Sequence, residues 1–330
     1  MTVLIITRRD DNESVAFVEA AIKERGGSSF RFDTDRFPTD VRMVARSGPA
    51  GAEQLTLASD AGSLDLRGVT AIWHRRVNVG AGLPREMDAQ LRFASLGESR
   101  AAAMGLLASL EVFRVDEEQR IRRAEQKLLQ LRIAREVGLE APRTLVTNDP
   151  GAVRDFAAAC AGGMVTKMLS SFAVYDERGG EQVVFTNRVE PEDLADLEGL
   201  RLCPMTFQES VPKALELRAT VVGGRVFTAS IDSGASARAA HDWRRDGAAL
   251  VGDWEHYQLP PEVEGRLLRL ADSFGLNYGA ADFILTPDGR HVFLEINPAG
   301  EFFWLEQQPG LNISGAIADV LLGLASRRES

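Results

Sequence analysis

Near the C-terminus two short apolar runs flank a turn, and each carries an acid where a core strand would carry none. The first run is Ala280–Leu285, the turn is Pro287-Asp288-Gly289, and the second run is His291–Ile296, continuing into Asn297-Pro298. Runs of this length around a Pro/Asp/Gly turn predict an antiparallel hairpin. Strand side chains alternate between faces, so Glu295 and Asn297, two apart, point to the same side. Asp282 lies near the opposite end of the paired strand and is expected to converge with them. An acidic hairpin standing in water is the plain alternative. It is weakened because Asp282 and Glu295 sit between apolar neighbours, where an unpaired charge is costly. Two carboxylates and an amide oxygen are hard donors, suited to a Mg2+ ion that keeps waters and binds phosphates.

The rest of the chain reads as an α/β protein. Apolar residues 3–7, a helix carrying Val15, Val18 and Ile22 that stops at Gly26-Gly27, and alternating Phe30 and Phe32 make a β-α-β opening. A further strand is expected over 69–73 and a long helix from Met87 to Leu110. Residues 117–137 predict one amphipathic helix with Ile121, Ala124, Leu128 and Leu131 on one face and Gly138 as its stop. Asn148-Asp149-Pro150 opens another helix. Strands are expected at 144–147, 164–168, 183–189, 205–209, 215–222 and 226–231, with turns at Gly179-Gly180 and Gly223-Gly224. A helix runs from Pro260-Pro261 to Gly275, and a last one covers 313–324. Boundaries near 115 and 204 divide the chain into segments 1–115, 116–204 and 205–330.

Charge and composition remove several function classes. The formal net charge is -10, which disfavours a phosphate backbone as partner, so nucleic-acid binding is not expected. The N-terminus lacks a basic leader, and no run is long and apolar enough to span a membrane, so a cytoplasmic protein is expected. Cys160 and Cys203 are read as free thiols rather than a disulfide or a zinc motif. The four histidines show no metal spacing.

Basic and polar residues suggest anion contacts. Lys167 interrupts the apolar strand Met164-Val165-Thr166, and a lysine there wants an anion. Lys127 lies on the amphipathic helix. The segment Thr206-Phe207-Gln208-Glu209-Ser210-Val211 can offer backbone hydrogen bonds to a base edge. Glu216 and Arg218 share one strand face, where the acid can accept from ribose hydroxyls and the guanidinium can clamp phosphate. Taken alone, a cross-strand ion pair explains these two equally well. Arg75 and Arg76 follow the strand ending at Trp73, and strand ends of open α/β sheets are where ligands bind. Arg238 and Arg244 fall in a polar segment that can cover such a site.

Taken in order, Lys127, Lys167, Gln208-Glu209, Glu216, Arg218, Asp282, Glu295 and Asn297 resemble the ATP-grasp superfamily over roughly 115–325. The resemblance implies an ATP-grasp fold preceded by an open α/β domain. It implies ATP held by Lys127, Lys167, Gln208, Glu209, Val211 and Glu216, with Mg2+ on Asp282, Glu295 and Asn297 and Arg218 beside them. Trp73-His74-Arg75-Arg76, Asp242-Trp243-Arg244, Glu295-Ile296-Asn297-Pro298-Ala299-Gly300-Glu301-Phe302-Phe303-Trp304 and Gly310-Leu311-Asn312-Ile313 narrow it further. They are similar to the graspetide (microviridin-type) ligases, which crosslink ribosomally made precursor peptides through ω-ester or ω-amide rings. That family binds the leader largely with its central lobe, which makes strands 183–189 and the helix after Pro191 the candidates in this chain. One departure is visible: no glycine-rich phosphate loop follows Lys167. A glutamate-ligase-like enzyme adding amino acids to a peptide or protein, and a non-catalytic ATP-binding regulatory module, remain alternatives. A homodimer is left open.

Overall fold

The computed structural model describes residues 1–49, 51–169, 173–175, 181–183, 186–233 and 251–328. The expected turn at Gly179-Gly180 and the candidate substrate residues Arg238 and Arg244 lie outside them. Among the described residues no helix is long and apolar enough to cross a membrane.

The N-terminal part contains β1 (Thr2–Thr7), α1 (Glu13–Glu24), β2 (Ser28–Asp33), β3 (Arg42–Gly48), β4 (Gly51–Ser59), β5 (Gly62–Asp65), β6 (Val69–His74), α2 (Ala89–Ala108) and β7 (Phe113–Val115). Strands β2-β1-β6-β7 form a parallel sheet, and β3-β4-β5 form a separate antiparallel one. Alternation assigns the two faces of β1. Val3 and Ile5 pack with Val15, Val18 and Ile22 of α1, while Leu4 and Ile6 pack with Ala103, Leu106 and Leu107 of α2. The Asn12 side chain caps α1 by accepting from the Ser14 amide.

The middle contains α3 (Glu118–Ala124), α4 (Lys127–Glu136), β8 (Thr144–Thr147), α5 (Pro150–Ala159), β9 (Met164–Lys167), β10 (Ala173–Tyr175), β11 (Glu181–Val183), β12 (Asn187–Val189) and β13 (Met205–Glu209). The single helix expected over 117–137 is broken at Glu125-Gln126, where Gln126 has ψ 96° and α4 restarts at Lys127. Leu128 is not on the buried face: it is 57% exposed, whereas Ile121, Ala124, Leu131 and Ala134 are buried. The strand expected over 183–189 splits in two. Strand β11 pairs with β10, and β12 pairs with β9. Residues after Pro191 form two short 3-10 turns, 193–195 and 198–201, rather than an α-helix. The central sheet has the order β12-β9-β13-β8. Strand β13, which a boundary near 204 would give to the last segment, therefore lies inside the central sheet.

The last part contains β14 (Leu215–Val222), β15 (Arg225–Ile231), β16 (Glu255–His256), α6 (Pro261–Phe274), β17 (Tyr278–Leu285), β18 (His291–Asn297), α7 (Phe303–Gln307) and α8 (Ile313–Leu321). The antiparallel sheet β16-β15-β14-β17-β18 buries Leu217, Ala219, Val221, Ala281, Phe283 and Phe293 against α6 and α4. Gly275 ends α6 in the left-handed region at φ 69°, which its missing Cβ permits. Helix α8 stops at Leu321, short of the expected 324. Its buried Ile313, Ile317, Val320 and Leu321 pack on α1 and the first sheet. At about 1.5–3 kcal/mol for each large aliphatic removed from water, this packing fastens the first and last parts together.

Candidate active site

Strands β14, β17 and β18 build the centre of the site. Asp282 stands directly opposite Glu295 and also opposite Arg218, while Ala280 is opposite Asn297. Asp282 is thus closer to Glu295 than the sequence suggested. The pairing slips at Asp282/Phe283, leaving Leu294 as an additional residue in β18. That bulge lets Phe293 stay in the core against Phe283, ring centroids 5.5 Å apart, while Glu295 and Asn297 turn to the other face. On that face Arg218 Nη1 donates to Asp282 Oδ1 at 2.7 Å. Asn297 Nδ2 donates to Glu295 Oε1 at 3.1 Å and to Asp282 Oδ2 at 3.4 Å.

Helix α4 delivers a lysine to the same cluster. Lys127 Nζ lies 2.7 Å from Glu295 Oε2 and donates to Asn297 Oδ1 at 3.1 Å. The break at Gln126 makes this reach possible, because it starts α4 beside the edge strand β18. Gln130, one turn on, fixes the helix there: its buried amide donates to the Ile296 carbonyl at 2.8 Å and accepts from the Ile296 amide at 3.0 Å. Burial pushes the Glu295 carboxyl up. Lys127 and then Lys167 more than offset it, and the carboxyl is held at about 2. Burial also works against the charge on Arg218, and the adjacent Asp282 carboxylate reverses that effect, so the guanidinium stays charged.

Lys127 and Lys167 face one cleft between the central sheet and β18, lined also by Leu131, Val146, Thr206 and Leu294. The buried Thr206 hydroxyl has no hydrogen-bond partner among the described residues. Other residues expected to meet a nucleotide are already engaged. Gln208 is buried and donates to the Thr144 hydroxyl at 2.9 Å, and Glu209 binds the Arg143 amide and guanidinium, each at 2.8 Å. Interior strand β13 also pairs on both sides through Gln208, so the expected backbone edge is confined to its exit near Val211. Glu216 accepts from Lys213 at 2.7 Å and Ser233 at 2.6 Å, leaving lone pairs for further donors.

The arginines after β6 occupy a different setting from the one expected. Arg75 is 4% exposed, pairs with Asp11 at 3.0 Å, contacts Glu301, and lies over the rings of Trp73 and Phe302. So enclosed, it joins the N-terminal sheet to the loop after β18 rather than presenting a surface to substrate. Arg76 also contacts Glu301 and lies 3.5 Å from Asp11, but its side chain is 30% exposed. Of the two, Arg76 is the more accessible.

Comparison with known proteins agrees with this geometry. Residues 2–122 match the family described as the MvdD pre-ATP grasp domain. The macrocyclase MdnC of Microcystis aeruginosa MRC, solved bound with precursor peptide MdnA, is 48% identical with a TM-score of 0.88, over 98% of this chain and 100% of that one. The chain belongs to the ATP-grasp macrocyclases of ribosomal peptides. A Chryseobacterium gregarium RiPP-associated ATP-grasp ligase, solved with ADP and a leader and core peptide, is 37% identical with a TM-score of 0.94. That likeness covers 100% of this chain and 98% of the other. A probable alpha-L-glutamate ligase of Aliivibrio salmonicida is more distant, 26% identical over 74% of this chain and 77% of its own length. As an ATP-grasp ligase the chain is an enzyme, which removes the regulatory-module alternative.

Several residues of this macrocyclase escaped the sequence reading. Gln130 sits among the apolar positions of α4, and a polar residue on a buried face was the available signal. Asp11 and Asn12 looked like ordinary loop residues after β1. Glu301 stood within the motif that carried the resemblance, yet nothing in the sequence showed that it would reach Arg75 and Arg76.

Proposed function

We propose that this macrocyclase phosphorylates Asp or Glu side-chain carboxylates of a ribosomal precursor peptide with ATP, then joins them to Thr or Ser hydroxyls or Lys amines. A free carboxylate is a poor acyl donor because oxide would have to leave. Phosphorylation turns that oxygen into phosphate, and attack by the hydroxyl or amine closes the ring with release of phosphate. Phosphoryl transfer asks mainly for positioning and charge neutralisation. The observation that carries the reading is the single sheet face on which Arg218, Asp282, Glu295 and Asn297 meet Lys127.

The donor set fits Mg2+, since it offers two carboxylates and an amide and no soft ligand. With only two acids, phosphate and water oxygens would complete the shell. When bound there, the ion would supply neutralisation of phosphate charge. Lys127 now balances Glu295; a nucleotide gives its ammonium a second anion, and Lys167 faces the same cleft. Arg218 stays charged beside Asp282 and can meet charge developing on the transferred group. The solved relatives bound with a precursor peptide, and with ADP plus leader and core, support both substrates. The glutamate-ligase relatives sustain one rival reading, addition of free amino acids. Intact mass of the precursor peptide after incubation with enzyme and Mg-ATP separates the two. Ring closure removes one water per ring, whereas addition raises the mass.

A further inference from the structure

The loop that leaves the metal-site strand returns to touch both Arg218 and the N-terminal sheet. Asn297 ends β18, and Gly300 and Glu301 follow within four residues. The Glu301 carbonyl accepts from Arg218 Nη2 at 3.2 Å, while Arg218 Nη1 holds Asp282 at 2.7 Å. The approach is close: a Cβ on Gly300 would stand 2.8 Å from Arg218 Nη2 and 2.6 Å from the Ala280 Cβ. The Tyr278 hydroxyl donates to the Gly300 carbonyl at 2.6 Å, fixing the loop from the sheet side. From the other side the Glu301 carboxylate is taken by Arg75, Arg76 and the Asn12 amide. These donors gather at the C-terminal ends of β1 and β6, the neighbouring strands between which the strand order reverses direction. There the two arginines are balanced by two carboxylates, Asp11 and Glu301.

We infer that Glu301 is a positioning residue: its carboxylate, anchored on Arg75 and Arg76, holds its own carbonyl against Arg218 and so aims that guanidinium at the reacting phosphate. The inference rests on the reading that Arg218 serves phosphoryl transfer. The carboxylate is already taken by Arg75, Arg76 and the Asn12 amide, so the role assigned to it is mechanical.

The test compares wild type with Glu301→Gln and Glu301→Asp in the full-length protein. The substrate is a precursor peptide with a leader and a Thr-rich acidic core, and ring closure and ADP release are followed. In the glutamine variant one of the two acceptor oxygens becomes an NH2 facing guanidinium donors and the charge is removed, so the anchor is weakened at nearly constant size. The expected result is a kcat reduced about tenfold with the KM for ATP and for peptide held within about twofold, and partial recovery in the aspartate variant, which keeps the charge. An unchanged kcat, or a loss carried in KM, overturns it. Crystal structures judge the contact without any turnover. Arg218 should leave the residue-301 carbonyl in Glu301→Gln, and an Arg218 that keeps its wild-type contact refutes the inference. A wild type that closes no ring with this peptide instead strikes the functional reading beneath it.

Discussion

Replacing Glu295 by glutamine should destabilise the protein in a pH-dependent way that the structure sets. The folded carboxyl is held at about 2 against an ordinary value of 4.5, with Lys127 the largest of the groups that lower it. That distance corresponds to about 3 kcal/mol of stability when the group is ionised in both states. Because the folded value is depressed, this stability is present above 4.5 and is lost as pH falls through the interval down to about 2. The side chain is 24% exposed, so solvent screening trims the figure, and Asn297 still accepts from Lys127 in the variant. Urea unfolding followed by tryptophan fluorescence gives the difference between wild type and Glu295→Gln. Trp254 and Trp304 lie in the last part of the chain, and Arg218, which holds Asp282 opposite Glu295, lies over the Trp304 ring. The difference should amount to about 2–3 kcal/mol at neutral pH and shrink to roughly half near pH 3. A difference independent of pH, or a more stable variant, would show that Lys127 does not hold the Glu295 charge.

Two further substitutions probe the cleft and the loop behind it. Lys167→Ala should weaken Mg-ATP binding about tenfold in calorimetry, because it removes an ammonium group facing the cleft; unchanged affinity removes its assignment. Gly300→Ala forces a Cβ against Arg218 and Ala280 and should cost about 1–3 kcal/mol in the same urea assay. A Gly300→Ala protein as stable as wild type would mean that the loop can shift freely.

The hairpin was readable because it breaks a rule: acids inside apolar strands demand partners, and alternation alone put Glu295 and Asn297 on one face. The register was not readable, since the bulge at Leu294 leaves no local mark, so Asp282 was placed too far from Glu295. The α3–α4 break was hidden for a related reason. Ile121, Ala124, Leu131 and Ala134 keep a helical spacing straight through it, and the non-helical turn of Gln126 has no glycine or proline to announce it. Gln208, Glu209 and Arg75 show what residue types alone do not carry. Their chemistry suited a ligand, and the structure adds partners distant in sequence: Thr144 and Arg143 for the pair on β13, Asp11 and Glu301 for the arginine. Which polar groups satisfy one another is fixed by tertiary packing, and a linear pattern of residue types carries little of it.

The most direct test of the mechanism follows one oxygen atom. A precursor peptide with 18O in its acidic side chains, incubated with enzyme and Mg-ATP, should pass one labelled oxygen to inorganic phosphate for every ring closed. Rings that form while the phosphate stays unlabelled would contradict activation as an acyl phosphate, and with it the proposed role of the β17–β18 hairpin.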